Sequence, residues 1–338
     1  MDRRISLLRV LACFMVIQLH VSAELYARWG APAWWAGNVY DSLTRACVPL
    51  FFMLAGATLL RRDEPLPDFV RKRAVRILPP LLFWSAFYLW WLWFNGAFPA
   101  DWRMARMLVS GPVMFHLWYF YALLGVYATV PLLRKFYLHG SRGEHLAFIA
   151  VWLLAASIVP TARDLWNGTT CAGGLDPGGI LSVYHLEYFA GYPGFLVLGA
   201  MLADRPWNRG AAALSYVAAS CAIMAASYLV SRRAGAPCEY FFVYLSPLVI
   251  LAAAGLFSFV LAGAPAPASR MLGTLADCSL GVYGLHVFII DPVFRRFGWA
   301  PPPGEPWLTA PLVAAGVFLV AFAVVWVVRL VPPARRFV

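Results

Sequence analysis

Apolar runs of nearly bilayer-spanning length recur from Ile5 to Val328, separated only by short polar breaks. A hydrocarbon core needs roughly 17 to 25 helical residues per crossing. On that scale the runs predict ten helices: Ile5–Leu25, Leu43–Leu60, Ile77–Phe94, Val113–Leu133, Leu146–Pro160, Leu186–Leu202, Ala211–Val230, Phe241–Leu261, Leu272–Phe294 and Leu308–Val328. The expected fold is therefore an all-α polytopic membrane bundle of about ten transmembrane helices. It is expected to form one domain over residues 1–338, with no appended soluble domain. Composition agrees: 62% of residues are hydrophobic and 13% charged, a balance unsuited to a soluble domain of this size. The first run is long enough to cross a bilayer, which favours a retained helix over a cleaved signal peptide.

The net charge of +11 does not imply a nucleic-acid partner, because the basic residues lie between apolar runs, where membrane insertion accounts for them. Placing the N-terminus in the cytoplasm puts most of the 27 basic residues inside. These include Arg3, Arg4 and the cluster Arg61, Arg62, Arg71, Lys72, Arg73 and Arg76, and both termini are then cytoplasmic. The six cysteines form no CxxC pair or Cys/His cluster, so no metal site is expected. Cys171 and Cys238 both fall in external loops under this topology. An oxidising compartment permits a disulfide there, and two free thiols are the equal alternative.

Polar residues inside the spans are the candidates for function, since charges in hydrocarbon are costly and usually face a cavity or the bundle interior. Arg9 and His20 lie eleven residues apart on the first helix, within about 20° of one face and about 16 Å apart along the axis. Arg9 is thus expected near the cytoplasmic side and His20 toward the outer side. The competing reading has Arg9 snorkelling to the inner headgroups and His20 as a hydrogen-bonded interior histidine. His116 and His286 fall at the same outer depth as His20, which suggests a shared cavity. A partly buried, neutral imidazole is suited to remove a proton from a hydroxyl. Glu24, one turn beyond His20, is read either as orienting that imidazole or as a solvated carboxylate. Trp118 and Tyr283 are read either as cavity residues or as interfacial anchors. Inside, Arg73 and Arg76 are close enough on a helical turn to meet one phosphate, or serve as a plain topology signal.

In order along the chain stand Arg9-x10-His20, the run Val48 to Gly56 (VPLFFMLAG), Arg73-x2-Arg76 before Pro79 and Pro80, His116-Leu117-Trp118-Tyr119, and Ser279 to His286 (SLGVYGLH). This succession resembles the acyltransferase 3 family of integral membrane acyltransferases. Arg45-x2-Val48-Pro49 and the Leu-Trp-Tyr segment are similar to the surface-polysaccharide O-acetyltransferases, including the enterobacterial common antigen type. Ala55 departs from the serine usual before Gly56. The resemblance implies a multi-pass protein of the bacterial inner membrane, with acetyl-CoA or another acyl-CoA as cytoplasmic donor. The implied acceptor is a hydroxyl of a cell-surface glycan or lipid-linked saccharide. It also implies Arg73 and Arg76 on donor phosphates, Arg9 on the donor or on developing charge, and His20 as general base. Glu24, Arg45, His116, Trp118, Tyr283 and His286 would shape the acceptor side. An exporter or flippase of a polyprenyl-linked saccharide is the alternative, since a bundle enclosing polar residues also suits transport.

Overall fold

The computed structural model describes residues 2–96, 106, 110–168, 171, 191–295 and 305–338. The chain is an all-α polytopic membrane bundle. Among the described residues, nine helices are long and apolar enough to cross a bilayer, and a shorter apolar helix joins them. Arg103, Arg296 and most of the Ala162–His185 connection lie outside the described residues, as does the expected start of a helix at Leu186.

The first helix, α1 (Arg3–Tyr26), begins where the Asp2 carboxylate accepts the Arg4 N–H at 2.8 Å, an N-cap that satisfies one orphan donor. The expected second span starts earlier than its apolar run, as α2 (Ala33–Thr44) followed by α3 (Cys47–Leu59). Asn38, Asp41 and Ser42 lower the hydropathy of α2, yet all three are buried against protein. Asn38, for example, donates to the Met224 carbonyl at 3.0 Å. The break between α2 and α3 falls at Arg45 and Ala46. Pro49 is its cause: it offers no N–H to the Arg45 carbonyl four residues back, and its ring crowds that oxygen.

Helix α4 (Leu66–Phe94) also starts before its apolar run, at a Pro65-Leu66-Pro67 segment suited to a helix N-terminus. Arg71 to Arg76 therefore ride on the helix itself. A 3₁₀ turn, Phe115–Leu117, leads into α5 (Trp118–His139). A capping box between Ser141 and Glu144 opens α6 (Arg142–Leu153), which continues through a π turn, Leu154–Ile158, into α7 (Val159–Asn167). The chain is completed by α8 (Tyr192–Asp204), α9 (Arg209–Ala234), α10 (Pro247–Leu261), α11 (Arg270–Arg295) and α12 (Pro306–Leu330).

Helix α1 is the hub and packs against α2, α3, α10, α11 and α12. Its central position keeps Arg9 and His20 away from lipid. Helices α3 and α8 cross with their backbones in contact: a Cβ on Gly56 would fall 1.9 Å from the Leu196 oxygen, and one on Gly199 would fall 2.2 Å from the Met53 oxygen. Two small residues facing each other's backbone allow this approach, which is how helices associate where lipid removes the hydrophobic drive. Cys171 and Cys238 are joined in a disulfide. The Tyr26 hydroxyl donates to the Cys238 carbonyl at 2.7 Å, tying the end of α1 to that bridge.

A side chain at the α3–α8 crossing has nowhere to go. Gly199→Val is expected to destabilise the detergent-solubilised protein by at least about 1–3 kcal/mol, measured as a lower thermal unfolding midpoint. An unchanged midpoint would show that the helices do not approach this closely.

Candidate active site

Arg9 and His20 are both only half-buried although α1 is central. On the Arg9 side a cavity of about 120 Å³ is lined by Arg9, Arg73, Arg76, Tyr119, Tyr127 and Ser279, with Tyr283 at its wall. Three guanidinium-bearing residues from α1 and α4 therefore converge on one small space, where an anion or a polarised carbonyl would be stabilised. Arg76 is exposed and Arg73 half-buried. Arg73 lies 3.7 Å from Glu64, which also takes Lys72 at 2.7 Å and Arg134 at 3.5 Å. The hydrogen bond from Lys72 holds the Glu64 carboxyl, in the α3–α4 connection, below its usual range. Arg134 is fixed further by its Nε donating to the Leu59 carbonyl at 2.9 Å. Glu64 thus gathers three cations at the mouth of the cavity.

The histidines form a separate cluster. The rings of His20 and His286 stack with centroids 5.2 Å apart, and His116 meets His286 edge-on at 5.2 Å. Sequence depth brought these three to one level, and tertiary packing brings them to one point. His286 Nδ1 lies 2.6 Å from the Tyr283 carbonyl, and His116 Nε2 lies 3.4 Å from the Gly284 carbonyl. A carbonyl only accepts, so each of those nitrogens carries the proton and the opposite nitrogen keeps its lone pair. Those opposite atoms, His286 Nε2 and His116 Nδ1, have no hydrogen-bond partner. The Tyr88 hydroxyl also donates to the Gly284 carbonyl, at 2.8 Å. A side chain at Gly284 would strike Trp84, its Cβ falling 2.2 Å from that ring. His116 and His286 are buried, so His20 is the most accessible imidazole of the three.

Tyr283 connects the cavity and the histidine cluster. It lines the Arg9 cavity, its ring lies 5.7 Å from Tyr119 and 5.8 Å from both His116 and His286, and its hydroxyl donates to the His116 carbonyl. Ser279, Tyr283 and His286 recur at i, i+4 and i+7, one face of α11. That spacing is legible in the sequence and carries both the cavity and the cluster on a single stripe.

Of the other sequence candidates, Glu24 stands apart from the site, whereas Arg45 lies within electrostatic reach of His20. Glu24 is exposed and makes no hydrogen bond or ion pair among the described residues, so it sits as a solvated carboxylate and does not hold His20. Trp118 stacks on Tyr244 at 5.7 Å and lies 5.9 Å from Tyr192, on the α8–α10 side of the bundle. Arg45 is buried at the α2–α3 break, forked onto Asp41 with contacts of 2.6 and 2.9 Å, its guanidinium 4.4 Å over the Phe242 ring. Asp41, Glu64 and Tyr127 were not foreseen. The i, i+4 spacing of Asp41 and Arg45 was the available signal for the first, whereas nothing local marks Glu64 or Tyr127. Among the described residues no group of His, Cys, Asp and Glu is placed to hold a metal ion.

A family model described as an acyltransferase domain, that of the acyltransferase 3 family, matches residues 2–329. The chain is also similar to a serine/alanine racemase from Enterococcus gallinarum, 28% identical over 230 residues. That match takes in 62% of this chain and 30% of the racemase, so this chain spans under a third of its relative. No solved structure is significantly similar.

A buried ion pair that loses one partner leaves an uncompensated charge, at a cost of about 3–5 kcal/mol. Asp41→Asn is therefore expected to lower stability by that order in detergent unfolding, and Asp41→Leu combined with Arg45→Met to recover most of it. Equal stability of Asp41→Asn and the parent would show that Arg45 is neutralised by another group.

Proposed function

This chain belongs to the acyltransferase 3 family, and we propose from that membership that it is an O-acetyltransferase of the bacterial cytoplasmic membrane with both termini in the cytoplasm. It takes an acyl group, acetyl in the simplest case, from cytoplasmic acyl-CoA to a hydroxyl of a surface glycan or lipid-linked saccharide. The enterobacterial common antigen type of enzyme is its model. The observation that supports this most is the alignment of an arginine-lined cavity and a histidine cluster along α1, joined by Tyr283.

The donor's phosphates rest at the cationic mouth formed by Arg73 and Arg76. The cavity of about 120 Å³ is well below the roughly 300 Å³ at which ligand pockets begin. Only the slender arm of the donor enters it, and the nucleotide stays at the mouth. Arg9 and His20 are about 16 Å apart by helical rise, so the arm passes Arg9 and carries the thioester toward the histidines. Tyr119 and Tyr283 lie across that route and turn aside as it enters. His20 accepts the proton of the acceptor hydroxyl through its free lone pair. The oxygen attacks the thioester carbonyl, the C–S bond breaks, and the CoA sulfur leaves with the electron pair and is then protonated. His116 and His286, each fixed by a backbone carbonyl, hold the imidazole and the acceptor in place. Arg9 offsets negative charge developing on the donor. The racemase likeness adds no second activity, since it covers only 30% of that enzyme.

Loss of a general base costs about 10²–10⁴-fold in rate. His20→Ala in purified, reconstituted protein is expected to lose labelled-acetyl transfer by that factor while inserting normally. Arg9→Ala is expected to lose nearly all transfer, and Arg73→Ala chiefly to raise KM for acyl-CoA. Substantial transfer by His20→Ala would remove it as the base. Mass spectrometry of surface glycans from cells with and without the gene identifies both acyl group and carrier.

A further inference from the structure

A second cavity of the bundle is much larger than the arginine pocket. It is a cleft of about 710 Å³ between α6, α8 and α10, and neither acyl donor nor acceptor uses it in the reaction above. Its walls are apolar for most of their length, with Leu146, Ile149 and Leu153 on α6, Leu198 on α8, and Ile250 and Leu251 on α10. Six lining residues run from Arg142 to Ile158, on the order of 24 Å along the helix. Leu146 and Leu251 are 50% and 43% exposed, so the cleft opens sideways to the hydrocarbon.

One end is polar. Arg142, His145, Arg205 and Asp204 meet there, on the face that also carries the Glu64 cluster, because Arg61 of the α3–α4 connection pairs with Asp204 at 2.7 Å. Asp204 also accepts the Tyr137 hydroxyl at 2.5 Å, and Glu144 is turned back to cap the Ser141 N–H at 2.6 Å. Both acidic groups at this end are engaged, whereas Arg142 and Arg205 have no carboxylate partner among the described residues. His145 is buried, lines the cleft and stacks on Tyr137 at 4.5 Å, with its Nε2 turned toward Gly140. Two guanidinium groups without a carboxylate partner, at the end of an apolar cleft, suit an anionic group attached to an apolar chain.

We propose that this cleft binds an anionic glycerophospholipid from the leaflet on the donor side. One acyl chain lies along the α6–α8–α10 walls, and the phosphate sits between Arg142 and Arg205. A neighbouring protein helix would fill the apolar length but leave the cations unanswered, and a free phosphate would leave the apolar length bare. The site would anchor α8, whose other face crosses α3 at Gly56 and Gly199.

The test uses the full chain purified in detergent, with lipid occupancy followed by native mass spectrometry and thermal unfolding. Phosphatidylglycerol is expected to be retained and to raise the unfolding midpoint, whereas phosphatidylethanolamine and glycerol 3-phosphate are not. Arg142→Gln and Arg205→Gln are each expected to weaken phosphatidylglycerol about fivefold, the usual weight of one arginine against an anionic headgroup. Leu251→Trp, filling the apolar wall at an exposed position, is expected to lower occupancy without altering the charges. Equal retention of the two lipids, full binding by the Arg142→Gln, Arg205→Gln double variant, or stabilisation by glycerol 3-phosphate alone would each overturn the proposal. Neither arginine lines the Arg9 cavity, so failure here leaves the acyl-transfer reading untouched, and acetyl transfer assayed alongside separates the two.

Discussion

In hydrocarbon there is no water to satisfy a stray donor or acceptor, so every polar group in the bundle must find its partner within the protein or face a cavity. The structure follows from that constraint. Arg45 is tolerated because Asp41 stands one turn away. Arg134 is tolerated because Glu64 and the Leu59 carbonyl meet it. The side chains of His116 and His286 are each held on one nitrogen by a backbone carbonyl and left open on the other. Arg9 faces the arginine-lined cavity and His20 the other two histidines, both from the hub helix α1. Arg45 and Arg134 are held by carboxylates, while the open imidazole nitrogens belong to the histidine cluster.

Much of this architecture was legible in the chain. Run length predicted the helices, since a span must be apolar for about 20 residues, and α9, α10 and α12 fall close to where those runs lie. The starts of α2 and α4 were not legible by that measure. Asn38, Asp41 and Ser42 are polar but face protein, and hydropathy does not distinguish a lipid face from a buried one. The interruption at Arg45 was written in Pro49, whose effect falls four residues upstream.

The site divided in the same way. Arg9, His20, Arg73 and Arg76 could be placed from helical spacing, because each pair shares one helix. The meeting of His116 with His20 and His286 required three helices to pack, and depth in the membrane could only suggest it. Glu64 escaped notice because a carboxylate in a short loop carries no local signal, although it organises three cations. Trp118 resembled a site residue by position in a motif and turned instead toward Tyr192 and Tyr244. Glu24 had the right spacing to reach His20 but remained exposed at the end of α1.

The central claim is that donor and acceptor meet from opposite faces, with Arg9 and the histidines marking the two ends of one path. Sealed membrane vesicles of both orientations, carrying the native glycan acceptor and given impermeant labelled acetyl-CoA from outside, test it directly. Inverted vesicles should incorporate label into ester that an added esterase reaches only after the vesicles are opened, and right-side-out vesicles should incorporate none. Equal labelling in both orientations, or label open to esterase on the donor face, would contradict a path across the membrane.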